Sequence, residues 1–143
     1  MDHSAVTKFW FNEINPKQWF EKDEHFDLVL SKRFKVQVEL ALKDKLDHWA
    51  ESLEGCVGLI VLLDQFTRNI YRDEPKAFAG DSKALALCLS AIVHGYLQNA
   101  SSSWSQFLLM PMMHSENLAI QEMSLPLFKK YTNKRTFNFA NKH

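Results

Sequence analysis

Residues Cys56–Leu63 read CVGLIVLL, an unbroken apolar run, and pass without a turn signal into the polar string LDQFTRNIYR at 63–72. A segment that is apolar on every side must be enclosed by the rest of the fold. Periodicity over so short a run does not separate a buried helix from a buried strand. The continuation into DQFTRN favours a helix of about 17 residues that starts at a Ser52 cap. Gly55 and Gly58 then fall on nearly one side, where a neighbouring helix can approach closely. The run is far shorter than the ~20 residues that span a bilayer. It predicts a central core helix, continuous over 56–68.

The flanking segments carry helical punctuation. Asp2 or Ser4 can cap a first helix leading into FWFNEI (9–14), and Asn15-Pro16 opens a single turn through Trp19 and Phe20. After Asp23, the residues Phe26, Leu30, Phe34, Val38 and Leu42 recur every fourth position, which predicts an amphipathic helix over 24–45 with Lys32, Lys35, Glu39 and Lys43 on its wet side. Pro75 starts another short turn. Asp81 caps a helix with Leu85, Cys88, Leu89, Ile92 and Val93 as apolar positions and Gly95 as its stop. A polar loop at 98–103 precedes a short helix over 104–110, Pro111 opens a further helix to about Met123, and Pro126 breaks or restarts it. The expected fold is all-α: stacked antiparallel helices in a single domain over 1–143.

Charge is balanced, with 17 basic and 17 acidic residues among 143. Nucleic acid, whose affinity rests on excess Lys and Arg, is therefore not an expected partner, and neither is a membrane. Cys56 and Cys88 both sit in apolar stretches, and no leader-like apolar core precedes the domain, so two reduced thiols in a cytoplasmic protein are expected. No Glu-x-x-His, zinc-type Cys/His spacing, GxxxxGK[ST], GxGxxG, HExxH or GxSxG occurs. No metal or cofactor is expected.

Two stretches concentrate polar chemistry. In LDQFTRNIYR, Asp64 and Arg68 lie four residues apart, as do Gln65 and Asn69, and Arg72 continues the Arg68 face. Asp64 following a buried helix requires a partner, so an Asp64–Arg68 ion pair is predicted. This pair can be a clamp between helices, or Arg68 and Arg72 can hold an anionic group. In MPMMHSENLAIQ (110–121), His114, Ser115 and Glu116 are adjacent, and neighbours on a helix diverge by about 100°, so they form no catalytic relay with one another. His114 and Gln121 are placed on one helical stripe with Leu118; Glu116 or Asp64 can orient His114, and the free N–H groups near Pro111 make a modest anion site. Trp10 and Trp19, in a cluster with Phe9, Phe11 and Phe20, are candidates for an aromatic lining.

Taken in order, FWFNEI (9–14), WFEKDEHFD (19–27), LDQFTRNIYR (63–72), Phe78 with Asp81, and PMMHSE (111–116) followed by Gln121 resemble a bacterial family known as domain of unknown function number nine hundred and twenty-four. The resemblance implies tetratricopeptide-like helix hairpins and brings no activity with it. Family members read LDQFPRN where this chain has Thr67, and they continue past a segment like FNFANKH into a further helix and tail. The chain is expected to lack that tail.

Three functions compete at this point. The first is a binding module with a groove or polar pocket for a small anionic ligand or a partner peptide, with Asp64, Gln65, Arg68, Asn69, Arg72, His114, Glu116 and Gln121 as candidate ligand-binding residues. The second is an enzyme using Asp64, Arg68 and His114 for acid–base chemistry. The third is a structural adaptor. The apolar C-terminal residues Leu127, Phe128, Tyr131, Phe137 and Phe139 predict a homodimer.

Overall fold

Side-chain caps set the helix starts. The Asp2 carboxylate accepts from the Ser4 N–H, and Asn15 forms a reciprocal capping box with Gln18 ahead of Pro16. Asp23 accepts from the N–H groups of His25 and Phe26, and Ser52 accepts from Gly55. The computed structural model describes residues 2–141, the side chains of Lys134, Arg135 and Phe139 excepted. The chain divides into two compact units, residues 1–80 and 81–143.

The first unit holds α1 (His3–Lys8), which winds on as a π-turn through Phe9–Glu13, then α2 (Glu24–Leu42), α3 (Leu53–Ile60), a second π-wound stretch Val61–Phe66, and α4 (Thr67–Ile70). Short 3₁₀ turns at Pro16–Trp19, Asp47–Glu51 and Pro75–Phe78 join them. α1 packs on α3, and α2 packs on the second π-stretch and α4. Of the predicted stripe, Phe26, Leu30, Phe34 and Val38 are buried, each side chain contributing roughly 1.5–3 kcal/mol, and Leu42 at the helix end is half-buried. α2 ends at Leu42 rather than 45, because Asp44 turns into the left-handed region at φ 63°. Phe9, Trp10, Phe34 and Phe66 form the aromatic centre of this unit, with ring centroids 5.0–5.3 Å apart for Phe9–Phe34, Trp10–Phe66 and Phe34–Phe66.

Residues 53–70 are helical throughout, as the continuation of the apolar run into DQFTRN predicts, but the winding is not uniform. Over Val61–Phe66 it loosens to π. Thr67 stands just after this stretch, and its hydroxyl donates to the Leu63 carbonyl at 2.9 Å. A proline at 67 is therefore not needed for the backbone to leave α-winding here. Two glycines are fixed by close approach. A Cβ on Gly55 would lie 2.0 Å from the Trp49 carbonyl oxygen, and one on Gly80 would lie 2.4 Å from that of Leu63. Gly58 instead faces His3 and Thr7 of α1, so the two glycines of α3 receive different neighbours.

The second unit holds α5 (Asp81–Val93), a 3₁₀ turn at Tyr96–Asn99, α6 (Ser102–Met113), α7 (Leu118–Tyr131) and α8 (Lys134–Asn141). α6 packs against α5 and α7, and α7 against α8. Gly95, at φ 76°, ends the α5 segment as expected. Pro111 does not open a helix, and Pro126 does not break one: both lie inside, in α6 and α7. Pro111 is buried, and packing offsets its missing N–H bond. The true boundary is Asn117, whose side chain caps Ala119 and Ile120. The fold is all-α, and among the described residues there is no strand.

Candidate functional site

The polar string 63–72 begins in the enclosed part of the first unit and ends at its surface. Asp64 has 0% exposure and Gln65 is nearly as enclosed, for they sit on the π-wound continuation of an apolar helix. The Gln65 amide donates to Asp64 Oδ2 at 2.7 Å. Arg68, half-buried, approaches Asp64 Oδ1 only at 3.5 Å, and its shorter bond goes to the Asp64 backbone carbonyl at 2.6 Å. Its guanidinium also lies 5.3 Å from the centre of the Phe78 ring. The predicted Asp64–Arg68 pair exists, with the backbone bond as its closer half.

One helical turn later the string reaches across to α2. Asn69 Nδ2 donates to Asp27 Oδ1 at 2.9 Å; Arg72 donates from Nε to Asp27 Oδ2 at 2.8 Å and from Nη2 to Oδ1 at 3.2 Å. This is the bidentate fork that a planar guanidinium makes with a carboxylate. The bond to Asp27 holds the arginine proton still more tightly, raising its pKa. Asp27 lies in the first turn of α2, where the helix dipole also favours a carboxylate. Asp27 is the residue that spacing arguments do not single out, because its partners lie 42 and 45 positions away. The only signal for it is its place in WFEKDEHFD.

Around this fork opens a cleft of about 340 Å³ lined by Lys22, Glu24, Asp27, Ser31, Asn69, Arg72 and their neighbours Leu28, Ile70 and Asp73. Lys22, Glu24 and Asp73 are exposed there and make no side-chain hydrogen bond or ion pair among the described residues. Asp73 sits in the left-handed region at φ 67°, an uncommon state for a residue with a side chain. Further along α2, Tyr71 donates to Glu39, which also accepts from Lys76 Nζ at 2.7 Å. Those two bonds, the lysine first, hold the Glu39 carboxyl below its usual pKa, whereas burial and then the Glu39 bond raise that of Tyr71.

The other candidates separate. Trp10 has 0% exposure and stacks on Trp19 at 6.2 Å, so it is core; Trp19 covers it and donates Nε1 to its carbonyl at 2.9 Å. The structure does not keep His114 and Gln121 on one helix. His114 ends α6, Glu116 is exposed in the following loop, and Gln121 on α7 donates back to the Ser115 carbonyl. The anion site expected near Pro111 falls with it, since that proline is inside a helix whose N–H groups are engaged. Of the C-terminal apolar residues, Phe128 is fully buried and Leu127, Tyr131 and Phe137 are half-buried; the Phe139 side chain lies outside the described residues.

Comparison with known proteins bears on the family and the fold. Residues 6–143 match the sequence profile of a family described as bacterial protein of unknown function (DUF924). A solved structure of a protein of unknown function from Agrobacterium tumefaciens superposes with a TM-score of 0.92 at 30% identity, covering 99% of this chain and 79% of that one. No curated protein matches.

Proposed function

This chain belongs to the bacterial family of unknown function DUF924, and from that premise we propose that it is a helical binding module whose ligand site is the cleft around Asp27, Asn69 and Arg72. One observation carries the reading: the polar string 63–72, buried at Asp64, ends in an open cleft edged by charged groups that form no side-chain bond among the described residues. A rigid fork with unengaged charges around it is what a recognition site needs, because little ordering is lost on binding.

Within that class, a peptide segment carrying a basic side chain fits better than a small anion. Arg72 already gives Nε and Nη2 to Asp27, so an anion would have to compete with a carboxylate in place. Glu24 is exposed with no bonded partner described, Asp73 adds a second carboxylate whose charge so far acts on Arg72 without a bond, and Lys22 can meet a neighbouring carbonyl. The catalytic alternative is less well supported, since it needs Asp64 at the substrate and Asp64 has no exposed surface. Tetratricopeptide-like pairing of the helices and a cytoplasmic setting belong to this same proposal; no helix among the described residues is long and apolar enough to cross a membrane.

The test is an amide-resolved NMR titration with short peptides that differ only in a central Lys, Gln or Glu. The Lys peptide is expected to saturate and to shift amides in 22–31 and 69–73, and a Glu24→Gln/Asp73→Asn double variant to weaken it at least tenfold. Preferential binding of the Glu peptide or of phosphate, or shifts elsewhere, would overturn the reading.

A further inference from the structure

α2 has a second exposed face, away from the cleft. On a helix of 100° per residue, Val29, Lys32, Val36, Leu40 and Lys43 fall within about 80° of circumference and extend about 21 Å along the axis. All five are exposed, Val36 at 68%. A helix that already buries Phe26, Leu30, Phe34 and Val38 has no need of further aliphatics for its own unit. A concavity of about 420 Å³ lies over Lys35, Val36, Glu39, Leu40 and Lys43.

The charge on this face is one-sided. Glu39 is its acidic member, and its carboxylate is turned to Tyr71 and Lys76. Arg33, on the edge, pairs with Glu13 at 3.2 Å and lies over the Phe9 ring. Lys32 forms no side-chain bond or ion pair among the described residues, Lys43 acts on Glu39 one turn back through its charge without bonding to it, and Lys35 overlies the Tyr71 ring at 5.8 Å. The face therefore shows an aliphatic strip beside a surplus of ammonium groups, Lys32, Lys35 and Lys43 against the one carboxylate of Glu39 that Lys76 already shares, in a chain whose overall charge is zero.

We infer that the outer face of α2 docks an acidic amphipathic helix of a partner protein, its leucine-type side chains on Val29, Val36 and Leu40 and its carboxylates on Lys32 and Lys43. The complementarity is of both charge and spacing, because anchors at helical intervals in the partner match anchors at helical intervals here. A lipid surface is the poorer occupant: three aliphatics on one helix offer little to insert, and the basic groups number only a few. This inference does not depend on the cleft, which lies on other residues.

Fluorescence anisotropy tests it on the full chain, with a labelled helical peptide that repeats Glu at i, i+4 and Leu at i, i+3, a Gln-for-Glu control, and vesicles of phosphatidylserine and phosphatidylcholine. Saturable binding of the acidic peptide is expected, at least tenfold tighter than the control and weakening as salt rises from low to physiological strength. Lys32→Glu/Lys43→Glu and Val36→Asp should each reduce it at least tenfold, with circular dichroism unchanged because all three sites are exposed. Equal binding of the Gln control, binding indifferent to the three substitutions, or binding to vesicles and not to the peptide would overturn the proposal.

Discussion

Two stretches of this chain are rich in the same polar residue types, yet they are used differently. In 63–72 the side chains bond across the first unit, Asn69 and Arg72 reaching Asp27 in another helix. In 110–121 the bonds of Asn117 and Gln121 are local: Asn117 caps its own helix and the Gln121 amide returns to Ser115. The first arrangement ties elements together and leaves a charged cleft at their junction. The second shapes a helix–helix turn. A motif's composition thus says less than the sequence distance its bonds span, since only long-range bonds fix one element against another.

The contrast is most exposed to failure at Asp64. Asp64→Ala removes the acceptor of the buried Gln65 amide and a partner of Arg68, and it leaves a small void, so a loss of about 3 kcal/mol is expected by urea denaturation. A change within a few tenths of that of an exposed-site variant would mean that this stretch is no more structural than the other. Next comes Asp27→Ala, expected to cost about 2 kcal/mol because it strands a half-buried guanidinium. A double-mutant cycle with Arg72→Ala should return a coupling of about 1–2 kcal/mol, and additive losses would show that the fork holds nothing.

How much of this was legible in residue order differs between fold and site. The caps at Asp23 and Ser52, the four-residue recurrence Phe26–Val38 and the left-handed stop at Gly95 are local, and local chemistry is what sequence displays. The helix boundary at Asn117 was hidden behind Pro111, because proline's local cost is visible in sequence and the packing that offsets it is not. Arg72 and Asn69 stand out by type and spacing. Asp27 does not, since its role is set by two helices meeting, and no periodicity encodes that meeting. Cys56 is legible as a buried thiol, and burial pushes its pKa up to about 11.

A smaller effect sharpens the same contrast through pH. Glu39 titrates below the usual carboxylate range in the folded chain, so its contribution is present above an unfolded pKa of about 4.3 and is lost as pH falls through the lower folded value. Glu39→Gln is expected to flatten the stability curve over that acid window by less than about 1 kcal/mol, the pair being partly in water. Identical acid limbs for the variant and the parent would remove Glu39 from the set of bonds that join elements. The smallest effect belongs to the second stretch: Gln121→Ala should cost about 0.5 kcal/mol, seen as a minor shift in the denaturation midpoint. A loss matching that of Asp27→Ala would erase the distinction.

The loosened winding at Val61–Phe66 has a bearing on which lengths of chain can carry this cleft. A helix that admits an extra residue in one turn advances everything after it by about 100°. Deleting a residue from this turn, and so restoring ordinary pitch, would rotate Asn69 and Arg72 to a different bearing from Asp27. Insertions and deletions at this turn are therefore expected to be purged even where every individual side chain is interchangeable.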